Sequence, residues 1–420
     1  MKTKAVRLYR KNDLRLEEFE LPPIKEDEIL AHVVSDSICA STYKAVIQGS
    51  AHKKVPKDID KNPVIIGHEF CGEILEVGSK WKHKFRAGQK FTIQPALNYK
   101  GSLAAPGYSY LYIGGDATYI VIPNEVMEMN CLLPYNGEAY FYGSLSEPMS
   151  CIIGAFHASY HVEQGRYIHH MGIIEGGNMA LLGATGPMGL GAIDYAVHGP
   201  RKPKFLVATG RDNEKIKRTS QIVTVTEAEK IGIKLKYVNT RNIKNVEKYL
   251  IDLTDGRGHD DVFVFASDKA LVNQADKILA RDGCLNFFAG PADPEFSVEI
   301  NFYNVHYNST HVVGTSGGNT EDMIEAIELM RKGLINPTAM ITHIGGLNSV
   351  VKTTLNLPKI PGGKKLIYTN FELELTAIED FKEKGKEDPL FAELAKIVEK
   401  NNGLWCLEAE KYLLENAKPI

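Results

Sequence analysis

The sequence predicts an α/β protein that joins a β-rich part to a doubly wound parallel sheet. Three observations carry this prediction. Residues 1 to about 155 alternate short apolar runs with turn signals, residues from about 156 to 340 repeat strand, glycine-rich turn and helix, and from about 341 onward the chain returns to short runs before a charged tail. Short strands between turns mark an all-β body, whereas strands alternating with helical stretches mark βαβ units and a parallel sheet.

Taken in order, the runs ILAHVV, VIIG, GEILEVG, FTIQ and YIVIP are each bounded by Gly, Pro, Asn or Asp and read as strands of a Greek-key-like or barrel body up to about residue 155. The next part pairs NMALLG with GATGPMGLGAIDYAV, KFLVATG with RDNEKIKRTSQI and DDVFVFA with DKALVNQADKIL, and ends in GCLNFFAG. HIGGLNSVVKTTLNL and GGKKLIYTNFELEL then rejoin the β-rich body. In the tail, Leu390, Phe391, Leu394, Ile397 and Val398 recur at helical spacing, which predicts an amphipathic helix laid on its own subunit. No repeat or low-complexity segment is present.

Composition narrows the function. The 420 residues are 44% hydrophobic, 24% charged and 9% aromatic, a globular balance that excludes a disordered tail protein or a fibre. Lys and Arg number 49 against 52 Asp and Glu, a net charge of −3, so bulk attraction to nucleic acid or anionic membrane is excluded and an anionic ligand has to be met by a local basic pocket. Six cysteines, at 39, 71, 131, 151, 284 and 406, form no CxxC pair, and the N-terminus is charged. A cytoplasmic protein without a signal peptide, a disulfide framework or a membrane span is expected.

In NMALLGATGPMGLGAIDYAV an apolar strand runs straight into Gly183, Gly186, Pro187, Met188 and Gly189 and then a helix. Such glycines let backbone N–H groups approach a pyrophosphate at the positive end of the helix. The spacing departs from GxGxxG, because Ala184 stands where the first glycine belongs; a crossover needing glycine only for packing is the alternative. The second strand ends on Gly210 and Arg211, a small residue and a fork donor that suit a 2′-phosphate, with Lys215, Lys217 and Arg218 nearby. This favours NADP(H) over NAD(H), unless Asp212 reaches back to the ribose.

Cys39 lies in SICASTYKA, His68 and Glu69 in VIIGHEFCGEI, and Glu147 in LSEPMSCIIGA. Thiolate, imidazole and carboxylate are zinc ligand types, and three protein ligands with an open position make a catalytic site. Singly, each is as readily a core residue.

The order SICAST, GHEFCGEILEVG, SEPMSC and a glycine-rich turn resembles the zinc-containing medium-chain alcohol and polyol dehydrogenases over nearly the whole chain. The resemblance implies a GroES-like catalytic domain built from residues 1–155 and 341–420, the latter carrying the helical tail, and a Rossmann-type dinucleotide-binding domain over 156–340. It puts Cys39, His68 and Glu147 at the catalytic zinc positions, Glu69 beside the metal with access to its shell, and Ser41 at the hydroxyl that relays the substrate proton, with Thr42 as rival. The stretch QPALNYKGSLAAPGYSYLYIGG holds none of the four cysteines of the family's structural-zinc lobe, so one zinc is expected. Lys44 replaces the relay histidine found five residues after the zinc cysteine in many relatives.

Within the family the chain is similar to the L-sorbose-1-phosphate reductases, in GGDATYIVIP and in the long tail. That implies reduction of L-sorbose 1-phosphate to D-glucitol 6-phosphate, with Lys44, Lys53 and Lys54 as candidates for the phosphate, or else as plain loop lysines. A dehydrogenase of unphosphorylated polyols or secondary alcohols is the alternative, and a non-catalytic nucleotide-binding protein a further one. A homodimer or homotetramer is expected, with no nucleic-acid partner.

Overall fold

A computed structural model describes residues 1–420. The chain divides into two compact units, residues 1–147 with 337–420 and residues 148–336.

The first unit is built around an eight-stranded sheet. Its long strand Ile29–Ile38 pairs antiparallel with Phe70–Val77 on one side and with Lys364–Tyr368 on the other, while Tyr119–Ile122 pairs with its first half. The strand alternates apolar residues into a core of Ile29, Ala31, Val33, Phe70, Ile74, Phe91, Ile93 and Ile120. Register decides what meets at its end. Asp36 stands opposite Phe70, and Ile38 opposite Lys365. The residues just outside those pairs, Cys39, Glu69 and Lys364, are therefore brought to one edge although 295 residues separate the last two.

The tail folds onto this unit. Helix Pro389–Lys400 buries Phe391, Leu394, Ile397 and Val398, with Leu390 part-exposed, as the helical spacing predicts. Helix Leu407–Asn416 follows, and the wholly buried Trp405 between them donates from Nε1 to the Tyr368 hydroxyl at 2.8 Å.

The second unit holds a six-stranded parallel sheet in the order Lys234–Asn239, Phe205–Gly210, Asn178–Leu182, His259–Val264, Leu279–Phe287, His311–Gly314. The first strand in sequence sits third, so the order reverses beside it, which is the doubly wound pattern whose switch point is where such sheets bind ligands.

One expectation is corrected. Residues 140–155 are not part of an all-β body: Tyr140–Ala158 is a single helix with Pro148 inside it. No helix of the chain is long and apolar enough to cross a membrane.

Candidate active site

Three chain segments deliver the donor set. Cys39 is the N-cap of helix Ala40–Gln48, at the point where the long strand ends. His68 and Glu69 follow Gly67, whose φ of +89° is a left-handed conformation; a Cβ there would lie 2.6 Å from Asp116 N and 2.8 Å from Asp36 Oδ2, so the turn requires glycine. The sulfur of Cys39, a ring nitrogen of His68 and a carboxylate oxygen of Glu69 lie within 4.8 Å of one another. Glu147 comes from the second turn of helix Tyr140–Ala158; it is buried and its carboxyl interacts with His68, Glu69 and Cys39.

The hydrogen bonds around His68 separate its two nitrogens. Thr42 Oγ1 lies 3.0 Å from Nδ1. Ser41 Oγ and the Tyr108 hydroxyl each lie 3.2 Å from Nε2. Thr42 is thus engaged at the other nitrogen, and of the two hydroxyls at Nε2 that of Ser41 donates to Cys39 Sγ at 3.0 Å.

Glu69 is held by several groups at once. Lys364 Nζ donates to both carboxylate oxygens, at 2.6 Å to Oε2, Ser37 Oγ donates to Oε2, and the Glu69 backbone N–H donates to Asp36 Oδ1 at 3.0 Å. Burial alone would push the Glu69 carboxyl up, but Lys364 and His68 outweigh it and hold the group below its usual range. Burial pushes Glu147 up to about 7, and pushes the Cys39 thiol up as well. Burial also keeps His68 below its usual range, hence neutral as a metal ligand must be. A buried cluster in which thiol and carboxyl resist ionisation is one that a divalent cation would relieve, so the donor set fits zinc.

Two residues of the site escape a reading of the sequence. Lys364 lies in GGKKLIYTNFELEL, a stretch whose sequence says only that it rejoins the β-rich body, and Tyr108 lies in a tyrosine-rich loop; neither carries a motif. Beside Tyr108, the His52 ring stacks on the phenol ring at 5.9 Å and Lys54 Nζ lies 4.8 Å from its centroid. His52 is pushed down to about 4 by burial and then by the positive charges of Lys54, Lys53 and Lys44.

In the second unit the predicted turn leaves strand Asn178–Leu182 at Gly183 and enters helix Pro187–His198, with Gly186 as N-cap and Pro187, Met188 and Gly189 in the first turn. A Cβ on Gly189 would come within 2.3 Å of Ala184 Cα, so this glycine serves close packing, whereas the space over Gly186 is open. Gly210 closes the second strand, and Arg211 is exposed. Asp212 is occupied as N-cap of helix Asn213–Ile222, its Oδ1 accepting from Lys215 N at 3.0 Å.

Taken together, the doubly wound unit and the thiol–imidazole–carboxylate set, part-buried at Cys39 and buried at His68 and Glu69, define a metal-assisted dehydrogenase class. Comparison with known proteins narrows the class: residues 25–130 match the alcohol dehydrogenase GroES-like domain and residues 187–332 the zinc-binding dehydrogenase domain. The chain is 52% identical to mannitol-1-phosphate 5-dehydrogenase of Aliivibrio fischeri, over 98% of this chain and 97% of that one. It is 50% identical to L-sorbose 1-phosphate reductase of Klebsiella pneumoniae, over 100% and 98%. A zinc-binding dehydrogenase from Sinorhizobium meliloti 1021, solved bound to NADP, superimposes with a TM-score of 0.71 at 21% identity, over 88% of this chain and 99% of that one. The chain belongs to the zinc-binding alcohol dehydrogenase family, and it is an oxidoreductase.

Proposed function

We propose that this enzyme interconverts a ketose phosphate and a polyol phosphate, reducing L-sorbose 1-phosphate to D-glucitol 6-phosphate with NADPH. The observation that carries the reading is that the Tyr108 ring, which meets His68, also meets His52 and Lys54, with Lys53 and Lys44 adding positive charge felt at His52. The names of the two curated relatives, each a sugar or polyol phosphate enzyme, support it.

In this reading the β-rich unit is catalytic, the parallel-sheet unit binds the dinucleotide, and a single zinc is held by Cys39, His68 and Glu147 with Glu69 at hand. A zinc ion bound there would supply Lewis acidity to an oxygen of the substrate. Thr42 fixes the His68 ring, so that Nε2 faces the donors. Lys364 holds Glu69 ionised and turned toward itself. Ser41 Oγ delivers a proton to the substrate oxygen. Gly183, Gly186, Pro187, Met188 and Gly189 cradle the pyrophosphate, and Gly210 with Arg211 leaves room and charge for the 2′-phosphate, supported by the employment of Asp212 as a cap. The enzyme acts in the cytoplasm as a homodimer or homotetramer, supported by the exposed rings of Phe302, Tyr303 and Tyr307.

The test is oxidation of NADPH on adding L-sorbose 1-phosphate, with L-sorbose as paired control and mannitol 1-phosphate with NAD⁺ assayed in reverse. Turnover of the L-sorbose ester far above that of L-sorbose supports the proposal. Equal rates, or turnover confined to mannitol 1-phosphate, overturn the substrate assignment. Zinc content checks the metal reading: Cys39→Ser is expected to lose the ion, and a fully loaded variant would contradict the ligand set.

A further inference from the structure

The mechanism above makes no use of Tyr108, yet this side chain touches both ends of the proposed site. It is buried, with 3% of its surface exposed. Its hydroxyl donates to Ser41 Oγ at 2.9 Å, and Ser41 Oγ in turn donates to Cys39 Sγ at 3.0 Å, so the two hydroxyls form a directed chain ending at the metal-type donors. The same phenol oxygen lies 3.2 Å from His68 Nε2. Away from the hydroxyl, the ring lies nearly parallel to His52, with an interplanar angle of 9°, and carries Lys54 Nζ near its centroid at 4.8 Å. His52 Nδ1 accepts from the Lys54 backbone N–H at 3.3 Å, which in the neutral ring leaves the proton on Nε2 as a donor.

We propose that Tyr108 couples recognition of the substrate phosphate to catalysis, its hydroxyl positioning Ser41 and its ring serving as the platform on which His52 and Lys54 are held to bind the phosphate. The proposal rests on the phosphate-ester reading above. A serine hydroxyl can rotate among three staggered positions. A donor fixed at 2.9 Å occupies one of its lone pairs and leaves its own proton aimed at the sulfur side, where the reacting oxygen has to be. A flexible lysine and a half-buried imidazole are likewise restricted by a rigid aromatic face, through stacking and a cation–π contact. Tyr108 is thus a positioning residue with two separable parts, and the parts predict different kinetic signatures.

The experiment compares Tyr108→Phe, Tyr108→Leu and Lys54→Gln, each first checked for wild-type zinc content and melting temperature. Tyr108→Phe removes the hydroxyl and keeps the platform: kcat for the phosphate ester is expected to fall about 3- to 10-fold, the loss of one neutral hydrogen bond, while the KM for the ester stays within twofold. Tyr108→Leu removes both parts and is expected to lower kcat equally and raise that KM several-fold; Lys54→Gln raises the KM. The readout independent of turnover is calorimetric binding of inorganic phosphate to the holoenzyme, expected to be unchanged in Tyr108→Phe and weakened in Tyr108→Leu and Lys54→Gln. A Tyr108→Phe variant with wild-type kcat, or phosphate binding that is equal in all four proteins, overturns the coupling. Wild-type turnover that is the same for ester and parent sugar overturns instead the reading on which it rests, so the two failures are distinguishable.

Discussion

At the scale of single residues, the pairing of Glu69 with Lys364 is the feature with the largest energetic stake. Both side chains are almost wholly removed from water. Such a pair gains little over an apolar replacement of both, but removing one partner leaves a buried charge uncompensated, at a cost of about 3–5 kcal/mol. Lys364→Met is therefore expected to lower stability by about that amount in urea unfolding, and Lys364→Arg by much less. A Lys364→Met variant as stable as wild type would mean that the hydrogen bond from Ser37 suffices to hold the Glu69 carboxyl. The legibility of the site divides along the same line. Cys39, His68 and Glu69, which the fold brings together, stand out as metal-type donors within short segments, the last two beside the turn at Gly67. Lys364 and Tyr108 were not, because nothing local distinguishes a lysine or tyrosine that strand register will bury against residues far away in sequence.

At the scale of elements, the helix Tyr140–Ala158 shows both what sequence patterning misses and what the tail is for. Its segment GSLSEPMS, with Pro148 and several serines, has the composition of a turn, and tertiary packing overrides that preference. Its first N–H groups find a partner outside the helix: the Glu410 carboxylate accepts from Tyr140 N at 2.7 Å and Phe141 N at 3.0 Å, and from the Tyr368 hydroxyl at 2.8 Å. The tail therefore caps the helix that carries Glu147. Burial raises the Glu410 carboxyl to about 7 despite these donors. A carboxyl with a folded pKa above its unfolded value binds more protons in the folded state, so its contribution to stability is present below about 4.5 and lost as pH rises through about 7. At about 1.4 kcal/mol per unit, the loss is on the order of 3 kcal/mol. Glu410→Gln cannot titrate, and the stability of wild type relative to this variant is expected to fall by about 2–3 kcal/mol between pH 4.5 and pH 8. A constant difference across that range would show that Glu410 titrates normally.

At the scale of the whole molecule, the division into a β-rich unit and a doubly wound unit was legible because the two hydrophobic rhythms, period two between turns and strand followed by helix, change within a few residues. The electrostatic design belongs to this scale too. In the proposed reading a chain of net charge −3 takes two phosphorylated ligands, and it then has to attract each through local groups. For the dinucleotide the proposed group is Arg211, and Arg211→Ala is expected to lower the ratio of kcat/KM for NADPH to that for NADH by roughly 10- to 100-fold, the worth of a charge-assisted hydrogen bond of about 1.5–3 kcal/mol; an unchanged ratio would remove Arg211 from cofactor choice. For the sugar phosphate the proposed groups are Lys44, Lys53 and Lys54, of which Lys53 is exposed and the others part-buried. Salt screens exposed charges within a Debye length that shrinks from about 30 Å at 0.01 M to about 3 Å at 1 M. Raising ionic strength across that range is therefore expected to increase the KM for the phosphate ester by about an order of magnitude, since distant and exposed lysines are silenced first, while the KM for an uncharged polyol stays level and kcat changes less than twofold. A KM for the ester that does not respond to salt would place the phosphate away from these lysines, in contact with groups already paired and buried.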